Sequence, residues 1–287
     1  MGQDTEADLQ SGRSRDQGHP GKAAAALGGA IHGALNFYKP RGITSAKALY
    51  RVRKIIGLRK SGHAGTLDPA AEGVLVLCLG QGTKLTEAWM DQPKVYRATA
   101  RLDLTSESFD TDGEVTEVQV ERRPTARQIR AALAQFVGHI QQIPPSISAI
   151  KVNGQAAYRS ARRGQPLVLK ARGVHIHWLH LHSYCWPEVD LEMACGRGTY
   201  VRALIRDLGM VLETGGCLSS LTRTAVGPFR AIDAWTYETL EAEGSGNRWL
   251  TPLHDVRSKL ARRPVPIPPA PVASDSDTAV GCHPQPS

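Results

Sequence analysis

The stretch Gly62-His63-Ala64-Gly65-Thr66-Leu67-Asp68-Pro69-Ala70-Ala71-Glu72-Gly73 constrains this chain more than any other. It sets a tight, glycine-bracketed turn directly before an apolar run, Val74 to Leu79, which Gly80 closes. An apolar run that short between glycines reads as a buried strand. The turn ahead of it carries Asp68. Helical and strand signals surround this unit. Thr44-Ser45 caps a helix whose apolar positions Leu49, Val52 and Ile56 recur at helical spacing, and Gly57 ends it. Lys94 to Leu102 alternates, with Tyr96, Ala98, Ala100 and Leu102 on one face and Arg97, Thr99 and Arg101 on the other. Thr125 to Gly138 reads as an amphipathic helix with Ile129, Leu133 and Phe136 inward. Glu188 to Cys195 alternates again, and Tyr200 to Leu212 returns to helix with Thr199 as its cap. Strands and helices interleave without a regular βαβ cadence, so the expected class is α+β with a largely antiparallel sheet.

Charge indicates the kind of partner. The 287 residues hold 35 Lys and Arg against 27 Asp and Glu, a formal +8 that favours an anionic partner. The excess is not spread evenly. From Gln17 to Leu67 there is no acid, whereas Lys39, Arg41, Lys47, Arg51, Arg53, Lys54, Arg59 and Lys60 are all present. Asp68 is the first acid that a polyanion drawn to that surface meets, a layout suited to an enzyme acting on nucleic acid. The cysteines, Cys78, Cys185, Cys195, Cys217 and Cys282, are odd in number and form no C-x-x-C pair, so neither a disulfide framework nor a zinc ribbon follows from their spacing. Met1 to Gly21 lacks the apolar stretch of a signal peptide, and the run Ala23 to Leu27 is too short to span a bilayer. The expected setting is a reducing cytoplasm.

Composition divides the chain into three. Residues 1–33 read as a disordered leader and 34–262 as one folded domain. Residues 263–287 read as a Pro-rich disordered tail, with five prolines between Pro264 and Pro271.

Each residue able to carry chemistry has two readings. Asp68 is a turn or helix cap, or a catalytic carboxylate. Arg202, in Gly198-Thr199-Tyr200-Val201-Arg202, is a surface helix residue or the guanidinium that holds Asp68 ionised and oriented. Tyr200 is a core aromatic or a neighbour of that cleft. Tyr96 is a packed core ring, or a platform for a flat base above its small neighbours Ala98 and Ala100. His63, near Gly62 and Gly65, is a solvated loop residue or one that stacks on a base or meets phosphate. His175, His177, His180 and His182 follow the alternation of a half-exposed strand, with no carboxylate or cysteine completing a metal set.

Taken together, these blocks resemble the TruB-type pseudouridine synthases. Gly62 to Pro69 followed by Glu72-Gly73-Val74-Leu75 is similar to that family's catalytic loop. Lys39-Pro40-Arg41-Gly42-Ile43-Thr44-Ser45 resembles its opening block. Gly82-Thr83-Lys84, Lys94-Val95-Tyr96, Asp110-Thr111-Asp112-Gly113, Pro144-Pro145 with Ser148-Ala149-Ile150-Lys151, Gly198 to Arg202 and Leu221-Thr222-Arg223 follow in the family's order, over about residues 34 to 230. The chain departs from the pattern at Glu107, Ile147 and Gly196, none of which belongs to the Asp, Tyr and Arg set.

The resemblance implies a pseudouridine-synthase fold, with a mixed, mostly antiparallel central sheet, flanking helices and an inserted RNA-binding thumb over about residues 141–164. It implies isomerisation of the T-loop uridine at position 55 of tRNA, by base flipping and Asp-dependent cleavage and rejoining of the glycosidic bond. Asp68 is then the essential aspartate, Tyr96 the tyrosine that stacks on the base and takes part in proton transfer, and Arg202 the partner of Asp68. Tyr200 and Leu221 pack in the pocket, and His63 enters the space left by the flipped base. Lys39 and Lys84 support structure or RNA contacts, and Lys151 and Arg162 belong to the thumb. No cofactor or metal is implied. The partner is the tRNA T-arm, with no membrane, no protein partner and a monomeric enzyme. A small C-terminal RNA-binding domain of the PUA type is expected to be absent or reduced. The alternative is a tRNA-binding folding chaperone in which catalysis is secondary. A metal-dependent nuclease is a third reading, and it requires sensitivity to chelators.

Overall fold

The computed structural model describes residues 31–145, 151–152, 155–156 and 169–261. Its strands are β1 (Gly33–Lys39), β2 (Ser61–Ala64), β3 (Glu72–Leu79), β4 (Lys94–Arg101), β5 (Leu104–Ser106), β6 (Val115–Glu117) and β7 (Gly138–Gln142). They continue with β8 (Lys151–Val152), β9 (Gln155–Ala156), β10 (Arg172–Cys185), β11 (Glu188–Cys195), β12 (Cys217–Val226), β13 (Phe229–Arg230) and β14 (Thr251–Pro252). The helices are α1 (Ser45–Ile56), α2 (Thr86–Met90), α3 (Ala126–Ala134), α4 (Val201–Leu212), α5 (Tyr237–Glu243) and α6 (Leu253–Ala261).

One ten-stranded sheet dominates, in the order β14-β1-β3-β12-β4-β11-β10-β7, with β2 beside β3 and β13 beside β12. Its pairings are antiparallel except one: β12 meets β3 in parallel through Thr222↔Glu72 and Arg223↔Gly73. The fold is therefore the α+β arrangement expected, with a mixed, mostly antiparallel sheet. The parallel contact brings the segment after α4 to the middle of the sheet, beside the turn that carries Asp68.

From Val74 to Leu79 strand β3 is apolar because it is covered on both faces. Leu75, Leu77 and Leu79 pack with Leu35, Phe37, Val52, Ile56 and Trp249. Val74, Val76 and Cys78 pack with Ala34, Trp89 and Phe229. The far half of the sheet is covered by α3 and α4, whose Ile129, Leu133, Leu204 and Leu208 share a core with Ala98, Ala100, Leu191 and Met193. At about 25 cal/mol per Å² of buried apolar surface, such a core supplies the main driving force for folding.

Local signals hold where they are local. Thr44 caps α1, its side chain accepting from the Lys47 backbone N–H at 3.2 Å, and Gly57 ends it at φ 69°. Other elements differ from expectation. The third helix runs Ala126–Ala134 under a Thr125/Gln128 capping box and stops short of Gly138. Gly138 sits at φ 98° and opens β7, leaving Phe136 only half-buried. Thr199 does not cap α4; its hydroxyl donates to the Gly196 carbonyl, and Tyr200 takes the N-cap position with no side-chain cap bond. Cys78, Cys195 and Cys217 are free and buried. The leader through residue 30, the tail from residue 262, Arg162 and most of the thumb lie outside the described residues, as does the Lys151 side chain. Among the described residues no helix is long and apolar enough to cross a membrane.

Candidate active site

The turn carrying Asp68 joins β2 to β3 and is held at several points. Ser45, buried at the start of α1, donates its hydroxyl to the Leu67 carbonyl at 3.0 Å and accepts from the Leu67 N–H at 2.9 Å. The Gly42 N–H donates to the Pro69 carbonyl at 2.8 Å. Lys39 is wholly buried, and its ammonium donates to the carbonyls of Pro40 at 2.9 Å, Ile43 at 2.7 Å and Pro69 at 3.4 Å. Burial pushes the Lys39 pKa down to about 8, while Asp68 and Glu72 pull it upward. Arg223, also buried, donates Nε to the Val74 carbonyl at 2.7 Å and an Nη to the Gly65 carbonyl at 3.0 Å. Gly73 allows β12 this close: at φ 104°, a Cβ there would lie 2.3 Å from the Arg223 carbonyl oxygen.

Arg202 stands in the first turn of α4 and is 5% exposed. Its guanidinium reaches the Asp68 carboxylate at 2.9 Å and Asp110 at 3.4 Å, and it donates to the Ser108 carbonyl at 2.8 Å. Asp110 is itself fixed, accepting from the Ser108 hydroxyl at 2.7 Å and the Asp112 N–H at 3.3 Å. The Asp68 side chain remains 44% exposed, open to the cleft. One face of that carboxylate is therefore braced by a buried cation while the other is free to meet a substrate.

The cleft is a cavity of about 490 Å³, within the range of small-molecule sites. Asp68, Tyr96, Tyr200, Arg202 and Leu221, all expected at the site, line it together. Tyr96 lies on the buried face of β4, opposite Arg223 on β12 and Met193 on β11. Burial raises its pKa and Arg223 opposes that rise, so the phenol keeps its proton at neutral pH. Asp68 is the one carboxylate in the wall among the described residues, against five cations: Lys94, Arg172, Arg197, Arg202 and Arg223. Lys94, next to Tyr96 on the same face, is pushed down to about 8 by burial and by Arg223. Among the described residues no cluster of three or more His, Cys, Asp or Glu is placed to hold a metal ion.

The remaining expected residues stand elsewhere. His63 is not on a free loop: it lies in β2 opposite Leu77, half-buried and outside the cavity wall. Burial and Arg223 both lower its pKa, so it stays neutral near pH 7. Lys39, being wholly buried on carbonyls, braces the turn and offers no charge to RNA. Lys84 is exposed on the 3-10 turn Gly80–Leu85, away from the cavity. Sequence reasoning assigned no role to Asp110, Lys94, Arg172 or Arg223. A signal existed for one of them, since an arginine at the end of Leu221-Thr222-Arg223 beside the apolar β3 must find buried acceptors.

A buried arginine paired with a cleft-facing aspartate, with a tyrosine in the same wall, is the arrangement that the resemblance to pseudouridine synthases implied, and comparison with known proteins shows the family. The TruB family pseudouridylate synthase N-terminal domain matches residues 53–201, and the tRNA pseudouridylate synthase B C-terminal domain matches residues 202–252. The chain belongs to the TruB family of pseudouridylate synthases. It is 46% identical over 217 residues to the tRNA pseudouridine synthase B of a Caulobacter species, covering 75% of this chain and 69% of that one. It is 44% identical over 219 residues to the tRNA pseudouridine synthase B of Thiobacillus denitrificans, covering 76% and 73%. Among solved structures it is similar to a chain of a Cbf5–Nop10–Gar1 complex, with a TM-score of 0.56 and 28% identity, over 72% of this chain and 53% of that one. The two matched domains share a single sheet here, since β12, in the second, lies between β3 and β4, in the first.

Proposed function

We infer that the protein isomerises uridine to pseudouridine in tRNA, and that its target is the T-loop uridine at position 55. The observation that carries this reading is the Asp68 carboxylate, held 2.9 Å from a buried guanidinium at the wall of a nucleoside-sized cavity that Tyr96 also lines. The target base must leave its stack, at a cost of a few kcal/mol offset by contacts in the pocket. Inside, the N1–C1′ bond breaks, the base turns, C5 bonds to C1′ and the C5 hydrogen leaves as a proton while N1 gains one. No electrons are exchanged and no second substrate enters, so the chemistry needs no cofactor or metal.

The wall suits that sequence. Five cations around one carboxylate stabilise negative charge as it builds on the departing uracil. Asp68 acts at the sugar, either by attack on C1′ or by removal of the C2′ proton, and Arg202 keeps it aimed. Tyr96 presents its ring to the base and a protonated hydroxyl for transfer. Outside the cleft, exposed Lys47 and Lys54 on α1 meet phosphates, which makes affinity fall as salt rises. The same reading has the enzyme working as a monomer in the cytoplasm on the T-arm stem-loop, with residues 34–262 as the catalytic domain. Lys151 and Arg162 contact the RNA. A chaperone that only binds tRNA has no use for a braced carboxylate in a nucleoside-sized cleft, and nothing in the site favours that alternative.

The test is to incubate the protein with an unmodified tRNA transcript in the presence of EDTA and map pseudouridine by mass spectrometry. Conversion at the single T-loop position supports the reading. Absence of product, or product only elsewhere in the tRNA, defeats it.

A further inference from the structure

The helix that carries Arg202 begins without a cap of its own. Tyr200 occupies the N-cap position at φ −105°, ψ 113° and makes no side-chain cap bond. A helix start leaves its first N–H groups without intrahelical partners, and here the missing partner comes from another strand. Gln142, the last residue of β7, is wholly buried and grips the Tyr200 backbone from both sides. Its Oε1 accepts from the Tyr200 N–H at 2.8 Å, and its Nε2 donates to the Tyr200 carbonyl at 3.1 Å. That carbonyl also accepts the first helical bond, from the Leu204 N–H at 3.1 Å.

The surroundings reinforce the grip. Gln142 is the direct cross-strand partner of Arg172 on β10. Arg172 donates to the Gly198 carbonyl and stacks its guanidinium 4.7 Å from the centre of the Tyr200 ring. One residue past Gln142, the Ile143 carbonyl accepts from Arg206 at 3.1 Å. Residues 198–202 therefore hang between two paired strands, and the place of the Arg202 guanidinium depends on where Gln142 holds Tyr200.

We propose that Gln142 is a positioning residue for pseudouridine formation: by fixing the Tyr200 backbone it sets the start of α4, hence Arg202, hence the carboxylate of Asp68. It touches no substrate, being buried behind the cavity wall. A displacement of Arg202 by about 1 Å is enough to cost on the order of a hundredfold in rate, whereas the phosphate-contacting surface is untouched. The proposal rests on the isomerase reading above.

The experiment measures single-turnover pseudouridine formation with enzyme in excess over unmodified tRNA, alongside tRNA Kd and Tm, for wild type, Gln142→Met and Gln142→Glu. Methionine matches the length of glutamine but forms neither bond; glutamate keeps the acceptor for the Tyr200 N–H. Gln142→Met is expected to lower the rate constant about ten- to a hundredfold with an unchanged Kd. Gln142→Glu is expected to lose less. A rate constant equal to wild type in Gln142→Met overturns the proposal, and so does a loss that tracks only the unfolded fraction or only a weaker Kd. If Gln142→Met does not fold, the comparison passes to Gln142→Glu, in which a wild-type rate constant overturns it. Wild type that makes no pseudouridine refutes the isomerase reading itself; an active wild type beside an equally active Gln142→Met refutes only the positioning role.

Discussion

Arg202→Met removes the group on which the site converges, and the structure separates its effect on stability from its effect on rate. Among the described residues the buried guanidinium reaches Asp68, Asp110 and the Ser108 carbonyl. Asp68 is 44% exposed, so losing that contact alters stability little. Asp110 is 16% exposed and would be left with the Ser108 hydroxyl and the Asp112 N–H as partners. Breaking a buried pair from one side costs roughly 3–5 kcal/mol, and the partners that Asp110 retains put this case near about 3 kcal/mol. For a domain of this size that is a fall in Tm of about 10 °C. The rate loss has another origin. Without the cation, Asp68 is neither aimed nor balanced, and removal of one preorganised charge-stabilising group lowers rates by roughly a hundred- to a thousandfold. The assay is release of tritium from C5-labelled uridine in tRNA under single-turnover conditions below 30 °C, with differential scanning calorimetry on the same samples. Arg202→Lys, a point charge in place of a planar fork, restores part of the stability and little of the rate. A wild-type Tm for Arg202→Met would show that the Asp110 contact is not structural. A wild-type rate would show that the pair with Asp68 is incidental.

Lys94 and Ser45 provide further tests. Burial lowers the Lys94 pKa from 10.5 to about 8, so between those values the unfolded chain binds a proton that the native protein does not, and stability rises with pH. Relative to Lys94→Met, the wild-type unfolding free energy should climb by on the order of 3 kcal/mol from pH 8 to 10.5 in urea titrations; a flat difference contradicts the buried, depressed ammonium. Ser45→Ala deletes both bonds to Leu67 and leaves its buried N–H and carbonyl unpaired. It should lower stability by about 1–3 kcal/mol by denaturant melts and slow turnover more than it weakens tRNA binding; an unaltered rate would mean that the turn keeps Asp68 in place without it.

What could be read from sequence was whatever repeats over short distances. The alternation of Lys94 to Leu102 put Tyr96 inward and Arg97 outward, and the burial of β4 follows it. The apolar run after Gly73 became a strand covered on both faces, and Thr44 and Gly57 bounded α1 as their chemistry requires. What escaped depends on register between distant segments. That His63 sits in a strand follows from pairing with β3, not from its neighbours, Gly62 and Ala64. The total burial of Lys39 needs three carbonyls arranged around one ammonium, and the grip of Gln142 on Tyr200 spans 58 residues. The residues offered Arg202 either as the partner of Asp68 or as a surface helix residue, and only the family resemblance chose between the two. The second carboxylate of Arg202, Asp110, was missed because nothing local ties Asp110-Thr111-Asp112-Gly113 to α4.

The most direct test of the account is Asp68→Asn, which keeps the size of the side chain and removes its charge and one acceptor oxygen, assayed for tRNA affinity and single-turnover conversion in one buffer. The account predicts a Kd close to wild type and no detectable pseudouridine after many wild-type half-lives. Pseudouridine accumulating at the T-loop position in that variant would contradict it.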